Sequence, residues 1–89
     1  MPETSEEQLK AIVLNMLLRR GCWGARYLPV DALAGWLGKR LQRDGKRVKK
    51  LIKELINQGY LIQHKKGEAV SLNPARAGEI VEAIDEALP

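Results

Sequence analysis

The stretch from Tyr60 to Leu72 constrains this chain most. Tyr60 to His64 and Ala69 to Leu72 read as two strands, joined by Lys65-Lys66-Gly67-Glu68. That connector has hairpin length and a glycine for positive φ. An isolated two-stranded hairpin is marginal in water, so its apolar side must pack on something else. The rest of the chain supplies helices. An 89-residue chain has material for one core, burying roughly 60–65% of its unfolded surface. The expectation is therefore one domain over residues 1–89, with residues 1–4 as a frayed start, mainly helical with a small β-hairpin.

Three helices precede the hairpin and one follows it. Over residues 5–20, Leu9, Ile12, Val13, Met16 and Leu17 recur at the spacing of one helical face. Thr4 or Ser5 is the candidate cap, and Gly21 is the stop. Ala11, Leu14 and Leu18 form a second stripe. It has two readings: burial between neighbouring helices, or a dimer surface. A turn and a short strand at Arg26 to Leu28 follow. A second helix runs from Val30 to Leu37, with Gly38 as its stop. A third runs from about Gly45 to Gln58, with Asp44 as candidate N-cap and Gly59 as C′ glycine. Its buried stripe is Val48, Leu51, Ile52, Leu55 and Ile56; Lys46, Lys50, Lys53 and Asn57 project opposite. Asn73-Pro74 opens a fourth helix as cap and first residue, with Ala77, Ile80, Val81, Ile84 and Leu88 on one face.

The net charge of +4 is modest, but its distribution is not. Residues 1–38 balance. Residues 39–66 carry ten bases against Asp44 and Glu54, which is +8; residues 67–89 carry −4. The positive block falls on the third helix and the hairpin connector. The negative block sets Glu68, Glu79, Glu82, Asp85 and Glu86 against Arg76, and all of its acids but Glu68 fall on the fourth helix.

Several function classes drop out. The single cysteine, Cys22, allows no internal disulfide and no Cys-rich zinc site. No apolar run approaches the ~18–20 residues of a membrane span, and acidic, polar Met1 to Gln8 does not read as a signal peptide. A cytoplasmic location is expected. One histidine, one cysteine and scattered carboxylates give no nucleophile–base or metal constellation. No enzyme, metal or cofactor is expected.

The order helix, short strand, helix, helix, hairpin, helix resembles a winged helix-turn-helix domain. Val30-Asp31-Ala32-Leu33-Ala34-Gly35-Trp36-Leu37-Gly38 is similar to that family's second-helix pattern. Val48 to Ile62, ending Gly59-Tyr60-Leu61-Ile62, is similar to a recognition helix running into the wing. The chain departs in one place. Gly38 to Gly59 is longer than a compact helix-turn-helix needs, with the surplus within Lys39 to Lys46. Either the turn is longer or the third helix starts earlier.

The resemblance implies that the third helix enters the major groove of double-stranded DNA while the wing lies along the backbone. Phosphates need cations, and Arg and Lys also read guanine edges. Arg43, Lys46, Arg47 and Lys50 lie toward the helix start, for base contact. Lys49 and Lys53 suit phosphates, and His64, Lys65 and Lys66 form the wing's contribution. Lysines outnumber arginines here, 7 to 3, and lysine selects bases weakly. The expected role is a small DNA-binding transcriptional regulator, with a homodimer through the second stripe as one form. An RNA-binding winged helix of a ribosome- or tRNA-associated factor is the alternative. So is a protein-interaction winged helix in a larger assembly. Cys22 has a second reading as a redox thiol beside Arg19, Arg20 and Arg26, and Trp23 and Tyr27 as base-stacking groups.

Overall fold

The computed structural model describes residues 6–41 and 45–88. The elements are α1 (Glu6–Arg19), β1 (Leu28–Pro29), α2 (Val30–Leu41), α3 (Gly45–Asn57), β2 (Leu61–His64), β3 (Ala69–Leu72) and α4 (Ala77–Ala87). The molecule is mainly helical, with a small three-stranded antiparallel sheet in the order β1-β3-β2. The expected readings at residues 1–4, at Thr4 or Ser5, at Arg43 and at the Asp44 cap lie outside the described residues.

Two helices end by the same device. Gly21 has φ 66°, and Gly59 has φ 85°. After α1, Cys22 N–H donates to Leu17 O and Gly21 N–H to Leu18 O, both at 3.0 Å. After α3, Tyr60 N–H donates to Leu55 O and Gly59 N–H to Ile56 O, both at 3.1 Å. Each pair is a Schellman closure, which needs a left-handed residue at C′ and therefore favours glycine. Asn73 caps as its sequence suggests: its side chain accepts from Ala75 N–H at 3.0 Å, and Pro74 opens the short 3₁₀ turn Pro74–Arg76 that feeds α4.

Gly38 does not stop α2. The helix continues to Leu41, and Gly38 is not among the glycines with positive φ. Without the left-handed turn there is no Schellman closure, and a glycine is then only a weak helical residue. The surplus between α2 and α3 is thus absorbed largely by a longer α2, an option not weighed from the sequence. The first strand also moves, from Arg26–Leu28 to Leu28–Pro29, where it pairs with β3 as Leu28↔Val70 and Pro29↔Ala69. β1 is an edge strand, where a proline without N–H is tolerated.

The core combines Leu9, Val13, Leu14 and Leu17 of α1, Leu33 and Leu37 of α2, and Val48, Leu51, Ile52 and Leu55 of α3. Leu61, Val70, Leu72, Ile80 and Ile84 join them, with Cys22, Val30 and Ala34. All four residues of β3 are buried, as befits the central strand. Ala11 and Leu14 are each 2% exposed and lie beside Ala83 and Ala87 of α4; Leu18 is half-buried against the core. The second stripe of α1 is thus buried within the chain at Ala11 and Leu14 and partly so at Leu18. Val81, assigned to the buried face of α4, is instead 41% exposed. Among the described residues no helix is long and apolar enough to cross a membrane.

Candidate nucleic-acid interface

α3 is buried on one side and basic on the other. With Val48, Leu51, Ile52 and Leu55 turned into the core, Lys46, Arg47, Lys49, Lys50 and Lys53 are all exposed. The cations fall into two groups. Lys46, Arg47 and Lys50 line a shallow depression with Glu6 and Glu54. Lys49 and Lys53 line an open groove of about 530 Å³ between α3, the start of α2 and the hairpin connector, where Lys65 joins them.

Four acids line this surface, Glu6, Asp31, Glu54 and Glu68, and two of them are paired. Glu54 Oε2 lies 3.6 Å from Lys10 Nζ of α1, drawing its charge toward α1. Asp31 Oδ1 pairs with Lys49 Nζ at 2.8 Å. Both of those side chains are more than half exposed, and such a surface pair is worth only about 0–1 kcal/mol and is screened by salt. Lys49 can therefore exchange Asp31 for a phosphate at little cost, but its charge is offset in the free protein. Among the described residues Lys50, Lys53 and Lys66 make no ion pair.

The connector is tighter than its sequence suggests. Lys65, Lys66 and Gly67 have φ of 49°, 58° and 89°, so two lysines as well as the glycine adopt left-handed backbone. Glu68 N–H donates to Lys65 O at 3.2 Å, and Val30 N–H donates to Glu68 O at 2.8 Å. That second bond ties the connector to the first residue of α2. The tie holds Lys65 beside the groove rather than out at a free tip.

His64 is engaged within the molecule through one ring nitrogen. Its Nε2 lies 2.9 Å from Ser71 Oγ, and the Ser71 hydroxyl donates to Gly24 O at 2.7 Å. Ser71 has one proton, already given to Gly24, so Nε2–H of His64 must be the donor to Ser71. That nitrogen is spent inside the molecule and is closed to a phosphate. The imidazole stacks on Tyr27, with centroids 4.6 Å apart and an interplanar angle of 23°. Lys65 Nζ lies 5.6 Å from the same ring's centroid. No sequence pattern joins Gly24, Tyr27, His64 and Ser71. They meet only because β1 and β2 flank β3.

The other single residues fall into place. Cys22 is 5% exposed; burial pushes its thiol pKa up, against the lowering effect of Arg20 and Arg26. This is the environment of a core cysteine, not of a reactive thiolate. Trp23 forms a bridge with Leu72 and packs on the core. Trp36 is 40% exposed, with the Arg20 guanidinium 4.3 Å from its ring centroid. The acidic residues Glu79, Glu82, Asp85 and Glu86 are exposed on α4, which packs chiefly on α1. Among the described residues no three His, Cys, Asp or Glu side chains group as a metal site would need.

Compared with protein-family models, curated proteins and solved structures, the chain gives no match in any of the three.

Proposed function

We propose that this chain is a winged helix-turn-helix domain that binds double-stranded DNA, with α3 in the major groove and the β2–β3 hairpin on the flanking backbone. Support for the fold comes from the element order, from the packing of α2 on α3 and from a short strand pairing beside the hairpin. Support for the ligand rests on one observation: the exposed face of α3 carries Lys46, Arg47, Lys49, Lys50 and Lys53, with Lys65 close by. A duplex carries one negative charge per ≈ 1.7 Å, and bound cations release its counterions. A lysine-rich face gains most of its affinity this way and little base selectivity. The fitting role is a small regulator or general DNA binder.

The test is anisotropy with a mixed-sequence duplex at low salt. Lys46→Glu combined with Lys50→Glu should abolish binding while the circular-dichroism melt keeps its cooperativity. Unchanged affinity for the duplex overturns the reading. A structured RNA added as competitor at matched salt separates the RNA-binding alternative, which takes its place if RNA displaces DNA at equal phosphate concentration.

A further inference from the structure

We infer that the groove at the base of the hairpin binds an unpaired nucleotide, its base stacked on Tyr27 and its phosphate held by Lys53 and Lys65. The inference rests on the nucleic-acid reading above and extends it from duplex to the junction between duplex and single strand. Tyr27 is 40% exposed, with a structural partner stacked on one face. That partner, His64, is itself fixed by the chain of hydrogen bonds through Ser71 to Gly24 O. Ser71, at the centre of the chain, is fully buried. The platform is thus backed by the sheet and does not have to be ordered on binding. Trp36, equally exposed, differs: the Arg20 guanidinium lies 4.3 Å from its ring centroid, closer than Lys65 Nζ at 5.6 Å from that of Tyr27, and Trp36 is not part of the groove.

The groove supplies what a nucleotide needs beside a platform. Tyr27, Lys53 and Lys65 line it together, as do Lys49, Asp31 and Glu68. Asp31 is neutralised by Lys49, which leaves two cations for a phosphate and one exposed carboxylate, Glu68. A carboxylate repels phosphate but accepts from the amino group of a base. An aromatic face in a cationic groove takes any base, because every base has a π-face, and each such stack is worth roughly 1–3 kcal/mol.

The experiment compares a blunt duplex with the same duplex carrying a three-nucleotide overhang, on either strand end, by anisotropy at one salt concentration. The wild-type chain should bind one of the overhang duplexes about tenfold or more tightly than the blunt one, the scale of a single base–aromatic stack. Tyr27→Leu should remove that preference and leave affinity for the blunt duplex unchanged; Tyr27→Phe should keep it. Equal wild-type binding to all three duplexes overturns the inference and leaves the duplex reading standing. So does a preference that survives Tyr27→Leu. Binding to the overhang duplexes alone supports the inference and overturns the duplex reading. No binding to any of them overturns both.

Discussion

Replacing Ser71 by alanine should cost more than the loss of one oxygen suggests. Ser71 is fully buried, and its hydroxyl does two jobs, donating to Gly24 O at 2.7 Å and accepting from His64 Nε2–H at 2.9 Å. The substitution leaves both partners without that bond. A buried group left unsatisfied costs about 1–3 kcal/mol. Gly24 and His64 are each half-buried, so water reaches them in part, and the low end applies to each. The sum is about 2 kcal/mol. For a domain of this size about 1 kcal/mol moves Tm by 4–8 °C, so the melt should fall by roughly 10 °C or more. Urea unfolding should show a lower midpoint with an unchanged slope. Ser71→Ala made in a His64→Phe background should cost distinctly less, because one of the two orphaned groups is gone. A loss below about 0.5 kcal/mol, the scatter of ordinary surface substitutions, would refute the assigned hydrogen-bond chain. So would strict additivity with His64→Phe.

Other substitutions follow from the backbone. Gly35→Ala and Gly78→Ala each add a Cβ that meets nothing within 4 Å, and both positions are helical; each should stabilise by about 0.5–1 kcal/mol, read as a higher urea midpoint. Gly59→Ala should destabilise by about 1–2 kcal/mol, because its φ is +85° and the new Cβ would lie 3.3 Å from Arg76 Nη2. Lys66→Gly relieves a left-handed lysine and should stabilise by about 1 kcal/mol. Under the proposed function it should also weaken duplex binding, so thermal stability and affinity move in opposite directions.

Most of the framework was legible because it is written in local spacing. The stripes of α1 and α3 and the strand boundaries around Ala69 to Leu72 depend on neighbours within a few residues. Gly21 and Gly59 were readable as stops because each follows a finished apolar stripe. Gly38 misled because composition does not say whether a glycine turns left-handed or stays helical. Ala11 and Leu14 were ambiguous because only tertiary packing decides whether a second stripe meets α4 or another chain. In the candidate site, the lysines of α3 were visible from periodicity. The Lys49–Asp31 pair and the Tyr27–His64–Ser71 chain were not. Each joins residues far apart in sequence, brought together by helix packing and by strand order.

The salt dependence of duplex binding tests the central claim most directly. If Lys46, Lys50, Lys53, Lys65 and Lys66 meet phosphates, log Kobs should fall against log salt with a slope of about −4 to −5. Lys53→Gln should reduce its magnitude by about 1. Glu82→Gln with Asp85→Asn, on α4, should leave it where it was. A wild-type slope near zero, or a slope that changes as much with the α4 pair as with Lys53→Gln, would contradict the account.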